Sequence, residues 1–167
     1  MVKTVSLNNY SDVHFTNDNV ARKIVEHFSL HGRCLEPFKG DGAFLKWLPD
    51  GSEWCEITEG VDFFSTRGCF DWIVTNPPFS NLTAVFEHAF YLSENCVFLV
   101  PISKYWSSQP RLNLVRQYGG LKEILHVGTG RQIGFDIGFP FAALHFQRGY
   151  SGLIKENYAH LSTISVG

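Results

Sequence analysis

The stretch Asp71-Trp72-Ile73-Val74-Thr75-Asn76-Pro77-Pro78-Phe79 decides how the sequence folds. Its first five residues form a short, largely apolar run bounded by turn residues, which predicts a buried strand. The two prolines end that strand because proline has no backbone N–H and a fixed φ, and they keep Asn76 in an extended conformation. The carbonyls of Asn76 and Pro77 are then left without strand partners.

Acceptors at the carboxyl end of a strand are suited to a substrate that carries an N–H₂ group. Such an amine has two hydrogens, and Asn76 Oδ1 and the Pro77 carbonyl can accept one each while Phe79 lies against a flat ring. An Asn-Pro pair is also an ordinary turn marker. The stretch by itself therefore leaves both a turn and a binding site open, and the residues upstream have to distinguish them.

The remainder of the chain alternates between strand-like and helix-like segments. Strand-like runs lie at 33–37, 53–57, 71–75, 96–100, 124–127 and 139–146, and helical spacing lies at 18–31, 82–92 and 104–118, with a break at Pro110. A further helix is predicted to begin at Ala43 and to stop at Pro49. We find no repeat, linker or low-complexity tract, so the sequence predicts one α/β domain over residues 1–167, with residues 1–15 as an N-terminal arm.

Composition limits the functional classes. A chain of 167 residues with a net charge of −2 gives no global signal for nucleic acid or membrane, although a local basic face is enough to bind nucleic acid. The four cysteines show no metal-like pairing and the histidines show no metal-ligand spacing, so no metal site is predicted. The sequence lacks a signal-peptide pattern and a membrane-spanning apolar run, and we expect a cytoplasmic protein with no membrane partner.

A glycine loop, Phe38-Lys39-Gly40-Asp41-Gly42, lies between the first strand and the helix predicted after it. Small residues at such a position let a ligand approach the backbone, and the helix N-terminus offers N–H groups to a carboxylate or phosphate. No Lys-Ser/Thr pair follows the loop, so it is not a nucleoside-triphosphate phosphate loop. Glu56 ends the second strand, where an acid can accept hydrogen bonds from ribose hydroxyls. Asp62-Phe63-Phe64 combines a carboxylate with aromatic walls, as a purine pocket requires.

The order of these motifs resembles that of class I S-adenosylmethionine-dependent amino-methyltransferases. The segment from Glu36 to Phe44 resembles the cofactor loop of that family, and the segment from Phe15 to Val20 resembles the one that folds over the methionine part of the cofactor in adenine-specific DNA enzymes. The resemblance covers about residues 14 to 148. It implies S-adenosylmethionine as cofactor and a Rossmann-like, mostly parallel seven-stranded sheet whose last strand is antiparallel.

The resemblance also assigns roles to single residues. The catalytic residues that it implies are Asn76, Pro77, Pro78 and Phe79. The cofactor-binding residues that it implies are Phe15, Thr16, Glu36, Pro37, Phe38, Gly40, Gly42, Glu56, Asp62, Phe63 and Asn76.

Basic and aromatic residues interleave near the predicted carboxyl ends of strands. This interleaving is typical of sites for single-stranded or flipped nucleotides. A solvated helix face and a hairpin would expose the same residues, so both interpretations stay open. The predicted substrate-binding residues are Phe79, Ser80, Lys104, Trp106, Arg111 and Arg131.

Four substrates share the chemistry that this family performs on a planar nitrogen: N6 of adenine in DNA, N6 of adenine in RNA, N2 of guanine in ribosomal RNA, and a glutamine side chain. The form of the glycine loop and the Asn that begins the catalytic motif favour adenine in DNA, with RNA as the alternative. The chain differs from the family in two respects: it has no room for a helix between Glu56 and Asp62, and no stretch long enough for a target-recognition domain. A non-catalytic subunit that depends on a partner for target recognition therefore stays open.

Overall fold

Seven strands form one sheet in the order β2-β1-β3-β4-β6-β5-β7 in the computed structural model of the protein, which describes residues 14–160. The strands are β1 Cys34–Glu36, β2 Glu53–Trp54, β3 Phe70–Thr75, β4 Ser93–Pro101, β5 Gly119–Thr129, β6 Pro140–Arg148 and β7 Lys155–Tyr158. β1 to β4 pair in parallel, and β6 runs antiparallel to both of its neighbours, β4 and β5. The predicted arm lies outside the described residues except for His14 and Phe15.

Four α-helices cover the two faces of the sheet: α1 Asp18–Phe28, α2 Leu82–Leu92, α3 Ser103–Trp106 and α4 Gln109–Tyr118. Because successive side chains of a strand point to opposite faces, Ile73 packs with α2 and α4 while Trp72 and Val74 pack with α1. Buried apolar residues therefore follow one another from Trp72 to Val74 in β3 and from Cys96 to Val100 in β4, as expected for strand segments covered on both sides. None of the helices in residues 14–160 is long and apolar enough to cross a membrane.

The predicted fold class is confirmed. The antiparallel strand is β6, which corresponds to the last strand predicted from the sequence pattern. One further strand, β7, follows it in the weakly patterned tail and pairs in parallel with β5. Pro110 divides the predicted helix at 104–118 into α3 and α4, and it occupies the first turn of α4, where its missing N–H costs nothing.

The helix predicted to begin at Ala43 is wrong. Residues between Gly42 and Pro49 form successive turns, in which the N–H groups of Trp47 and Leu48 both donate to the Phe44 carbonyl. Pro49 closes the segment after about one helical turn, which is too short to offset the cost of helix nucleation. The glycine loop is therefore followed by turns and not by an α-helix.

The segment between Glu56 and Asp62 contains no α-helix, as expected from its length. Two short 3-10 helices, Ile57–Glu59 and Phe63–Ser65, connect β2 to β3. Glu56 and Asp62 accept hydrogen bonds from the backbone N–H groups of Thr58 and Phe64 and so cap the two 3-10 helices.

We expect Phe86→Ala to destabilise the fold strongly. The Phe86 side chain is 1% exposed and its ring lies 4.6 Å from that of Phe98 and 5.3 Å from that of Phe146. Removing such a ring from a packed core costs about 3–5 kcal/mol of unfolding free energy. Urea unfolding followed by circular dichroism measures the loss. Tyr91→Ala, on the same helix at a position 74% exposed, is the control and should change stability by less than about 0.5 kcal/mol; equal effects would contradict the assignment of this core.

Candidate functional site

The carboxyl ends of β1 and β3 lie side by side and build the site. Leu35 of β1 is in register with Ile73 of β3, so Glu36, which ends β1, lies close to Thr75 and Asn76. Parallel pairing is what brings these residues together, because it places both strand ends at one edge of the sheet.

An open cleft lies at this edge. Six of the predicted cofactor-binding residues line it: Phe15, Thr16, Glu36, Phe38, Gly40 and Asn76. His14, Lys39, Asp41, Ala43 and Phe44 complete the lining. The N-terminal segment 14–16, the glycine loop and the residue after β3 therefore meet around one space.

Only one end of the Asn76 side-chain amide has a hydrogen-bond partner in residues 14–160. Its Nδ2 donates a hydrogen bond of 2.7 Å to the His14 carbonyl. Its Oδ1 is buried and accepts no hydrogen bond from any residue between 14 and 160. A buried polar atom without a partner costs free energy, and beside a cleft a bound ligand can supply that partner. Asn76 thus offers one unused acceptor at the end of β3.

Phe79 begins a 3-10 helix, Phe79–Asn81, directly after the two prolines. Its half-buried ring stacks on the His14 ring, with 5.9 Å between centroids and 24° between planes, and it contacts Phe141 at 5.8 Å. Pro78 is the N-cap residue of this helix. The motif therefore places an aromatic ring three residues after Asn76, packed against His14 and Phe141, although Phe79 itself does not line the cleft.

Glu36 is a carboxyl group buried at the base of the cleft, 1% exposed. Burial raises its pKa to about 8, and the negative charge of Glu56 adds to the rise, although the Thr75 hydroxyl and the Phe38 N–H oppose it. The Phe38 N–H donates to Glu36 Oε1 at 3.0 Å. At neutral pH this side chain is mostly a neutral acid held in a fixed orientation.

The glycine loop and Glu56 form one hydrogen-bonded unit. Gly40 has φ of +54°, and a Cβ added there would lie 3.2 Å from the Phe15 ring, so the close approach of segment 14–16 requires glycine. The Gly40 N–H donates to Glu56 Oε2 at 3.0 Å. Burial by itself would raise the pKa of Glu56. Hydrogen bonds from the Thr58 N–H, the Thr58 hydroxyl and the Gly40 N–H outweigh the effect of burial, so the pKa of Glu56 is lowered. Glu56 is therefore an ionised acceptor beside the cleft.

The remaining predicted cofactor residues surround the cleft without lining it. Phe63 is buried and contacts Phe38 edge to face at 5.3 Å. Both carboxylate oxygens of Asp62 already accept local hydrogen bonds, from the Phe64 N–H and the Ser65 hydroxyl. Pro37 is buried and Gly42 turns with φ of +85°. The contact of Asp62 with a purine stays a prediction.

The predicted substrate residues divide into two groups. Arg111 is engaged within the fold: its guanidinium donates twice to the Lys104 carbonyl, at 2.9 and 2.6 Å, and once to Thr83 Oγ1. Ser80 lies exposed in the motif's 3-10 helix, Lys104 and Trp106 lie on α3 directly after β4, and Arg131 lies in the loop that joins β5 to β6. This second group occupies the same edge of the sheet as the cleft.

His14 and Phe135 were missed by sequence reasoning. The His14 ring lies between the rings of Phe79 and Phe135, 5.4 Å from the latter. His14 precedes the Phe15-Thr16 motif and Phe135 is one of fifteen phenylalanines, so neither carried a local signal. Within residues 14–160 no three His, Cys, Asp or Glu side chains come together as a metal site requires.

Comparison with solved structures identifies the fold as that of the Rossmann-like methyltransferases. A Listeria monocytogenes protein assigned to the class I S-adenosylmethionine-dependent methyltransferases superposes with a TM-score of 0.69 and 10% identity, over 93% of this chain and 68% of that one. The M protein of the type I restriction enzyme EcoKI gives 0.67 and 11%, over 96% and 51%. A Pyrococcus horikoshii protein assigned as an RNA methyltransferase gives 0.57 and 11%, over 78% and 82%.

These similarities concern the fold. The chain spans about half the length of the EcoKI M protein. No family model and no curated protein matches the sequence. The fold that the motifs imply is thus confirmed, while the roles of single residues rest on the geometry described above.

The raised pKa of Glu36 predicts a stability that falls as the pH rises. The unfolded chain releases this proton near pH 4.5 and the folded protein keeps it to about pH 8. The free energy of unfolding therefore falls by up to about 1.4 kcal/mol per pH unit in that interval. Burial lowers the pKa of His145 to about 4, which has the opposite effect below pH 6.5. Urea unfolding of wild type and Glu36→Gln between pH 6.5 and 8 isolates Glu36, and the variant should be markedly less sensitive to pH.

Glu87→Gln provides the control, because Glu87 is exposed on α2. This variant should keep the pH sensitivity of the wild type. Parallel pH profiles for the wild type and Glu36→Gln would contradict the assignment of a protonated acid at the base of the cleft.

Proposed function

We propose that the protein transfers a methyl group from S-adenosylmethionine to an exocyclic amine of a nucleic acid base, N6 of adenine in DNA being the preferred target. The observation that carries the proposal is the buried Asn76 Oδ1, which has no hydrogen-bond partner in residues 14–160. An unpaired acceptor beside an aromatic ring is the arrangement that an N–H₂ group on a flat ring requires.

The residues around the cleft fit the cofactor. A carboxyl at the base, Glu36, can pair with an ammonium group, and the loop around Gly40 brings backbone close to the ligand. The apolar rings of Phe15 and Phe38 line the same cleft. When bound, S-adenosylmethionine supplies an electrophilic methyl group on a positively charged sulfur. Glu56, ionised beside the loop, is available to ribose hydroxyls.

The mechanism follows from the electronics of an aromatic amine. Its lone pair is delocalised into the ring, so the nitrogen is a poor nucleophile. Asn76 Oδ1 and the Pro77 carbonyl accept its two hydrogens, increase the electron density on nitrogen and favour a pyramidal geometry. Phe79 holds the plane of the ring so that the lone pair is directed along the line of methyl transfer. The nitrogen would become cationic as its lone pair forms the new C–N bond and the bond from the methyl carbon to sulfur breaks, which would leave a neutral thioether. The proton would then pass from the cationic nitrogen to water, so no strong base is needed.

The proposal is less specific about the type of nucleic acid than about the reaction. Type I restriction enzyme proteins and an RNA methyltransferase both share this fold, so RNA is the alternative target. A target in a duplex would have to be flipped out of the helix to reach Asn76. A subunit that binds the cofactor but needs a partner to recognise its target is the second alternative.

Transfer of labelled methyl groups to separate pools of single-stranded DNA, duplex DNA, structured RNA and protein tests the substrate. Mass spectrometry of digested nucleosides identifies the product. N6-methyladenine from DNA is the expected result. Label found only in RNA or protein would overturn the DNA assignment, and cofactor binding without any label would favour a subunit that needs its partner.

Asn76→Ala tests the catalytic assignment. Loss of the acceptor should reduce kcat by about 100-fold or more, a larger effect than the change in the dissociation constant of S-adenosylmethionine, whose proposed cleft Asn76 also lines. Asn76→Asp retains an oxygen at the same place and should keep more activity than the alanine variant. Asn113→Ala, at an exposed position of α4, is the control and should have wild-type kcat. Full activity of Asn76→Ala would rule out the role of this acceptor.

A further inference from the structure

We infer that an exposed strip beside the cleft binds the nucleotides that flank the target base, and that it binds them as a single strand. The strip, here called the aromatic rim, consists of Lys104, Trp106, Arg131 and Phe139. The inference rests on the proposed function, because it extends the site of the target base along the substrate. Phe139 was not among the residues predicted from the sequence.

Hydrogen bonds bring the parts of the aromatic rim together. The Ile102 N–H, directly before α3, donates to the Pro140 carbonyl at 3.1 Å, which joins the segment that carries Lys104 and Trp106 to the residue after Phe139. The loop between β5 and β6 folds back on itself, since the Gly130 N–H donates to the Phe139 carbonyl at 2.9 Å. Arg131 and Phe139 are therefore neighbours, although they are eight residues apart.

A buried residue, Phe141, connects the rim to the proposed target-base site. Phe141, two residues after Phe139, contacts the Phe79 ring at 5.8 Å, and it pairs with Pro101 at the end of β4. A strand of nucleic acid whose target base lies on Phe79 would thus extend over Phe139 toward α3.

The exposure of the rim is unusual for its residue types. Phe139 is 65% exposed and Trp106 is 53% exposed, whereas most phenylalanines of this chain are buried in its core. Aromatic rings that face solvent beside a site are suited to stack on unpaired bases, and such stacking tolerates different sequences. Bases in a duplex are already stacked on each other, so these rings favour a single strand.

The charges of the rim fit a phosphate backbone. Lys104 and Arg131 form no ion pair with any residue between 14 and 160. Asp136 lies exposed in the same loop as Arg131, so one carboxylate accompanies the two cations of the rim. The whole chain has a net charge of −2, so attraction of a phosphate backbone has to come from local cations such as these two.

Fluorescence anisotropy of the full chain with labelled oligonucleotides tests the inference. The probes are one adenine-containing DNA sequence as a single strand and as a duplex, and the same sequence as single-stranded RNA. We expect the single strand to bind at least about ten-fold more tightly than the duplex. Trp106→Ala and Phe139→Ala should each raise the dissociation constant about ten-fold. Lys104→Gln and Arg131→Gln should each reduce the slope of log K against log salt by about 0.7.

Tyr91→Ala and Lys155→Gln are matched controls, because both side chains are exposed and lie away from the cleft, at the end of α2 and the start of β7. They should bind as the wild type does. Equal affinity for single strand and duplex, or unchanged affinity in both aromatic variants, would overturn the inference. Tighter binding of RNA than of DNA would support the rim and identify RNA as the polymer.

Methyl transfer to the same oligonucleotides separates this inference from the proposed function. Tight binding of single strands, weakened by the rim variants, with no methyl transfer to any probe would overturn the proposed function and leave the rim intact. Methyl transfer with an unchanged KM in Trp106→Ala and Phe139→Ala would overturn the rim alone. Unfolding midpoints equal to that of the wild type show that the rim variants are folded.

Discussion

Parallel pairing of β1, β3 and β4 is the constraint on which the whole site depends. It brings the carboxyl ends of these strands to one edge of the sheet, so residues separated by forty positions in the chain, such as Glu36 and Asn76, lie around one cleft. The two prolines after Asn76 then prevent β3 from continuing past that edge. The positions at which these strands end therefore determine which side chains surround the cleft.

Helices, turns and loops together cover the two faces of the sheet. On one face, α2 and α4 pack against β3, β4 and β6. On the other face α1 is joined by Phe44 and Leu48 from the turns after the glycine loop and by Ile133 and Phe135 from the loop between β5 and β6. The same loops that complete the core also carry the walls of the site, so packing and binding share residues.

Much of this architecture is readable from the sequence, and the exceptions have physical causes. The strand at 71–75 and the helix Leu82–Leu92 were predicted because long apolar runs and helical spacing reflect local burial. The helix predicted after Gly42 does not form. Its residues favour a helix, but Pro49 limits the segment to about one helical turn, which is too short to offset the cost of nucleation. The cleft residues from Phe15 to Asn76 were found through contiguous motifs. His14, Phe135 and Phe139 were not, because their positions depend on tertiary contacts with other loops.

The neutral state of Glu36 has a consequence for any cation that enters the cleft. A positive group beside this carboxyl stabilises its ionised form, so the proton held below pH 8 must leave as the cation arrives. Binding and proton release are then one linked equilibrium, and the affinity for a cationic ligand rises with pH until the acid is already ionised in the free protein. The empty cleft avoids a buried, unpaired negative charge and acquires that charge only when a ligand neutralises it.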